Sequence, residues 1–191
     1  MSGNIFAHQT LASSTAQAGL LNTYATAKSV INASDVFPLP ANYVRVGSMF
    51  HLRAWGALSN IVTPAGTITF QVELGGTVAA WSSGALQLSS TANTLTPFEL
   101  DILLAVKTIG AGTAATIIGG GRITALNLEI AAAVNPTVTD TTLMVPAGTP
   151  AAGAGWDSTL KQTWDLWVGF SISNAGNGVQ ITNYLVDQVQ A

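Results

Sequence analysis

Glu99 and Asp101 stand two residues apart in a run of alternating apolar and polar residues, so both carboxylates fall on one face of a strand. Two carboxylates on one sheet face reach the separation of roughly 5–9 Å at which a glycosidase holds its acid and its nucleophile or base. The same residue types also suit ion pairing across a sheet, with Arg53, His51 or Lys107 as the answering groups. Ion pairing, within the chain or between subunits, is the preferred reading.

The remaining chemistry-bearing residues form no set. Gly112 to Gly119 spans the eight residues of a phosphate-loop pattern but does not end in its lysine and hydroxyl. Gly110 and Gly112 lack the third glycine and the following helix of a dinucleotide fold. The histidines, His8 and His51, are far apart, and there is no cysteine. A metal site would therefore be mostly carboxylate, suited to Ca²⁺ or Mg²⁺, and no Asp-x-Asp loop supplies one. No Gly-x-Ser-x-Gly elbow marks a serine hydrolase. Asn32–Ala33–Ser34 matches the glycosylation sequon, but no secretory signal precedes it. The expectation is a protein that is not an enzyme, with no catalytic, cofactor-binding or metal-binding residues.

Tryptophan carries more information. Trp164 is in phase with an apolar row and is expected in the core. Trp55 and Trp167 fall on the opposite faces of their strands, where a loop or a partner must cover them. Trp156 lies in a loop of small residues, Ala147 to Thr159, and needs either the domain's own surface or another subunit's. The candidate subunit-interface residues are Trp55, Trp156, Trp167, Arg53, Glu99 and Asp101. Stacking of an exposed tryptophan on a sugar ring is the competing use.

These residues must be positioned by strands. Ile68, Phe70, Val72 and Leu74 alternate with Thr67, Thr69, Gln71 and Glu73. Phe98 through Val106, Trp164 through Ile172 and Phe50–Leu52–Ala54 repeat the pattern, and Val179 to Val189 makes a closing strand. Turn chemistry separates them at Thr63–Pro64–Ala65–Gly66, Gly75–Gly76, Gly110–Ala111–Gly112 and Pro146–Ala147–Gly148. Asn177–Gly178, between two strong strands, is the best hairpin signal. Gly119–Gly120–Gly121 within a strand predicts a bulge or a place where a neighbouring chain lies close. About eight antiparallel strands point to an all-β, antiparallel jelly-roll sandwich over residues 28–191, with an extended N-terminal arm over residues 1–27.

Only 8% of the 191 residues are formally charged, against about 25% in ordinary soluble domains. A monomer of this mass exposes about 8,500 Å², leaving more than ~500 Å² of surface per charge. Much of that surface is expected to meet other protein chains. The net charge of −3 and scattered basic residues argue against nucleic-acid binding. No apolar run reaches the ~18 residues of a membrane helix, and an outer-membrane barrel lacks its aromatic girdles here.

Taken together, Phe37–Pro38–Leu39–Pro40 before Val46–Gly47–Ser48, Leu52–Arg53–Ala54–Trp55–Gly56, and Thr63–Pro64 with Gly66–Thr67 opening a strand that ends in Leu74–Gly75–Gly76 form a set. Phe98–Glu99–Leu100, the Gly119 triplet, and Met144–Val145–Pro146 followed by Trp164–Asp165–Leu166 complete it. From Lys28 to Gln188 the chain resembles the small jelly-roll virion proteins of tailed bacteriophages. The resemblance implies a head decoration (cement) protein, a homotrimer bound to the major capsid protein lattice, with no cofactor, nucleic acid or membrane. It implies location in the virion after synthesis in a host cytoplasm. A tail-associated carbohydrate- or receptor-binding protein of the same fold is the alternative.

Overall fold

The structure is a computed structural model that describes residues 8–61, 66–129 and 141–189. Among them thirteen strands run in order: β1 (His8–Ser13), β2 (Leu21–Asn22), β3 (Lys28–Ser29), β4 (Phe37–Leu39), β5 (Met49–Asn60), β6 (Thr67–Leu74), β7 (Val78–Ser82), β8 (Leu86–Gln87), β9 (Asn93–Thr108), β10 (Thr116–Ala125), β11 (Thr141–Val145), β12 (Gln162–Phe170) and β13 (Gly178–Val189). All pairings are antiparallel. The larger sheet has the order β1–β13–β5–β9–β10–β11, with β2 also on β13. The smaller has the order β3–β12–β6–β7, with β4 also on β12 and β8 also on β6. The chain is an all-β sandwich.

Period-2 alternation explains the two layers. In β9 the side chains of Phe98, Leu100, Ile102, Leu104 and Val106 are buried while their neighbours face outward. Ile68, Phe70, Val72 and Leu74 of β6 and Trp164, Leu166, Val168 and Phe170 of β12 do the same from the opposite sheet. Each such side chain contributes about 1.5–3 kcal/mol on leaving water. Rings bridge the layers: Phe50 lies 4.9 Å from Trp164, and Phe70 lies 5.6 Å from Phe98, centroid to centroid. A bulge in β13 between Ile181 and Asn183 shifts the phase, so Val179 and Ile181 point inward before it and Tyr184 and Val186 after it.

Three expectations change. Residues 8–27 are no free arm: β1 pairs along the end of β13, β2 pairs with its start, and Tyr24 is buried against Phe170. Between those strands, Ser14 and Ala18 donate backbone hydrogen bonds to Tyr184 and Ile181. Residues 1–7 lie outside the described residues, as does the Thr63–Pro64–Ala65 turn.

Asn177–Gly178 closes no hairpin, because β12 belongs to the small sheet and β13 to the large one. The turn is instead a corner between layers. Asn177 Oδ1 accepts from the Ile61 amide at 3.0 Å, and its Nδ2 donates to the Ile172 carbonyl at 3.1 Å.

The glycine triplet is explained within the chain. A Cβ on Gly119 would stand 2.2 Å from the Leu103 carbonyl oxygen, and one on Gly121 would stand 2.0 Å from that of Asp101. The backbone lying close is therefore that of β9, and Trp81 Nε1 donates to the Gly119 carbonyl at 3.0 Å from the opposite sheet. A bulge does occur, at the start of β10 between Thr116 and Ile117.

Candidate functional site

Register places the polar residues of the large sheet's outer face in cross-strand rows. One row runs Thr142, Thr124, Glu99, Trp55, Asn183 from β11 to β13. The next runs Met144, Arg122, Asp101, Arg53, Leu185, and the third Gly120, Leu103, His51, Asp187, Thr10, the last from β1. A fourth, Ile118, Ala105, Met49, Val189, is apolar. Four of the six expected interface residues, Arg53, Trp55, Glu99 and Asp101, are neighbours on this one face.

Two ion pairs join the second and third rows diagonally, and one lies within the second row. His51 Nε2 lies 2.6 Å from Asp101 Oδ1, and Arg122 Nη2 lies 3.6 Å from Asp101 Oδ2. Arg53 Nη2 lies 3.5 Å from Asp187 Oδ2, whose other oxygen accepts from Thr10 Oγ1 at 2.8 Å. The Arg53 guanidinium also stands 5.7 Å from the Trp55 ring centroid, within cation–π reach. Of the three bases expected to answer the Glu99–Asp101 pair, His51 meets Asp101, Arg53 turns to Asp187, and Lys107 makes no ion pair among the described residues. Arg122, which the sequence reading did not single out, is the further partner of Asp101. Glu99 forms no ion pair with any described residue. The charged patch is flanked by exposed apolar side chains: Met144 at 74% and Leu103 at 42% exposure.

The two remaining candidates sit elsewhere. Trp156 is only 2% exposed, so the chain itself covers the ring that was expected to need another surface. Its backbone exchanges hydrogen bonds with Ala115 in both directions at 3.0 Å, so the Ala147–Thr159 loop folds back onto the start of β10. Asp157 beside it accepts from Thr159 Oγ1 at 2.6 Å and from the Gly112 amide at 2.7 Å; these bonds hold its carboxyl below the usual range. Trp167 is on the outer face of the small sheet, as its phase implies, but it is tethered. Its Nε1 donates to Asp165 Oδ2 at 2.8 Å.

That tether leads to a carboxylate pair the sequence reading missed. Asp165 of β12 is the direct cross-strand partner of Glu73 of β6. Both are buried, at 7% and 6% exposure. Burial pushes the Asp165 carboxyl up against the opposing hydrogen bonds from Trp167, Ser29 and the Leu166 amide. Burial, then the charge of Asp165, pushes Glu73 up as well. The available signal was phase: Glu73 and Asp165 each lie on the polar side of a strong strand, but only the β6–β12 pairing brings them together.

Among the described residues, no group of three or more His, Asp or Glu side chains is arranged to hold a metal ion, and no helix is long and apolar enough to cross a membrane. A shallow cavity of about 690 Å³ lies between the Tyr43–Ser48 segment and the end of β13, where Tyr43 donates to Gln188 Oε1 at 2.5 Å. The chain matches no protein-family model, no curated protein and no solved structure.

Proposed function

We propose that this chain is a structural virion protein, a head decoration protein that associates as a homotrimer on the outer surface of a capsid lattice and braces the shell. The observation that carries the proposal is the outer face of the large sheet. There Trp55, two arginines and the exposed Leu103 and Met144 surround a zigzag of ion pairs. Tryptophan, methionine and arginine are the residue types enriched in protein–protein contacts. Five strands by four rows, at strand spacings of about 4.8 Å and row spacings of about 6.8 Å, give a face of roughly 650 Å². Side-chain relief brings this near the ~800 Å² per partner of a standard interface.

Strand order supports the resemblance. With β1/β2, β3/β4 and β7/β8 each counted as one strand and the β10–β11 pair set aside, the large sheet reads first, eighth, third, sixth. The small sheet then reads second, seventh, fourth, fifth, the arrangement of a jelly roll. Binding only the assembled lattice stabilises the shell by mass action at every occupied site. Opposed charges on the contact face select register and partner more than they add affinity.

The test is to locate the chain on particles, using an antibody raised against it and electron microscopy. Label distributed over the outside of heads is the expected result. Label confined to tails, or absent from particles, would overturn the decoration role.

A further inference from the structure

We propose that Glu73 and Asp165 share one proton across the β6–β12 ladder, making the small sheet a proton-operated latch that tightens in mild acid and loosens in alkali. The proposal is independent of the decoration role, because it concerns the opposite sheet and rests on register and burial. As direct antiparallel partners on one face, the two residues have Cβ atoms about 4.5–5.5 Å apart. Carboxyls on directly opposed strand positions in a poorly hydrated place repel one another when both are ionised, which favours one of them keeping a proton that the two can share.

Among the described residues no ion pair reaches either carboxyl, and Lys161, just before β12, forms none. Asp165 accepts from Trp167 Nε1 at 2.8 Å and Ser29 Oγ at 2.9 Å, both neutral donors. Across from Glu73, β7 presents Ala79. On β3 the only base is Lys28, which pairs with inward-facing Val168, and its ammonium stands 5.6 Å from the Tyr24 ring centroid. From the large sheet, the Tyr184 phenol is pushed up by burial and then by the Asp165 charge, and it stays protonated throughout. All three ion pairs among the described residues lie on the other sheet. Among the described residues no hydrogen bond to the Glu73 carboxyl is formed, and the charge that acts on it is that of Asp165.

The sign follows from linkage. Both carboxyls are raised on folding, so the penalty is absent when both are protonated in the folded and unfolded chain alike. It grows as pH rises past the unfolded carboxylate range and is complete above the folded values.

The experiment compares thermal midpoints of the wild-type chain and Glu73→Gln from pH 4 to pH 8. The substituted amide keeps the shape of the carboxyl and can donate to Asp165. The variant should melt higher at pH 8 by roughly 3 °C or more, a shift of the size expected from removing one buried repulsion in a chain this long. Its advantage should shrink toward zero at pH 4. An advantage independent of pH, or a lower midpoint at pH 8, would overturn the proposal. A wild-type midpoint raised by Ca²⁺ at pH 8 but unmoved in Glu73→Gln would make the pair a cation site instead, and would also overturn it. Carboxyl-carbon NMR titration of the wild-type chain gives a readout that needs no variant. Two coupled steps, one above the ordinary carboxylate range, are expected; two independent ordinary titrations would contradict proton sharing.

Discussion

The outer faces of the two sheets use charge in opposite ways. On the large sheet, carboxylates and bases alternate across β10, β9, β5 and β13, opposite in sign and, apart from the buried Asp187, partly exposed. On the small sheet, two carboxylates oppose each other with no base between them, and both are buried. Ion pairs open to water contribute little to folding, about 0–1 kcal/mol each, so the large sheet's pattern is better suited to choosing a partner than to holding the fold. A buried pair of like charge costs stability when ionised, which suits a response to pH. On the two proposals above, one scaffold would present a recognition surface on one side and a titrating element on the other.

Breaking the interior that both faces share has the largest effect. Trp81→Ala removes a fully buried ring and leaves the Gly119 carbonyl without its indole donor. A loss of about 3–5 kcal/mol is expected, measured by urea unfolding. Gly121→Ala strikes the large sheet alone: its Cβ would meet the Asp101 carbonyl oxygen at 2.0 Å, so β9 and β10 must part. A loss of about 1–3 kcal/mol is expected by the same method, with the protected amides of β10 exchanging faster with solvent.

Asp35 sharpens the contrast with Glu73 by titrating in the opposite sense. Burial pushes its carboxyl up, but hydrogen bonds from Thr15 Oγ1 at 2.9 Å, the Thr15 amide at 3.2 Å, Asn32 and Ser34 outweigh that and hold it below the usual range. The stability it contributes is present above the unfolded carboxylate range and is lost as pH falls through the folded value. Asp35→Asn should therefore lower the thermal midpoint at pH 7 and converge on the wild type in strong acid. This is the reverse of Glu73→Gln, whose effect is greatest in alkali. Arg122→Ala should have the smallest effect: its guanidinium is 58% exposed and 3.6 Å from Asp101, so the change is at most about 0.5–1 kcal/mol and shrinks with added salt.

How these faces arise was legible in the sequence only in part. Alternation in β6, β9 and β12 identified the buried rows, and the phase of Trp164, Trp55 and Trp167 placed each on its proper side. Phase is local, so it survives ignorance of the partner strand. Pairing is not local. Arg53 and Asp101 met on one face because both were read as polar positions of adjacent strands, whereas Glu73 and Asp165, nearly a hundred positions apart, met only through register.

Turn chemistry misled at Asn177–Gly178, where the same residues that close a hairpin also turn a corner between layers. Composition misled before Lys28. Its serines, threonines and glycine suggested an arm, yet two short stretches there supply edge strands and Tyr24 supplies core. Trp156 needed a cover, as expected, and it lies 2% exposed within the chain's own core.

Size-exclusion chromatography with light scattering tests the recognition face most directly. Leu103→Arg and Met144→Arg change exposed positions of that face without touching the core. At micromolar concentration the wild-type chain should run at three times its 19.6 kDa mass, and each variant should fall to the single-chain mass with its thermal midpoint unchanged. A wild-type chain that elutes as a monomer, or variants that keep the wild-type mass, would contradict the assignment of this face to assembly.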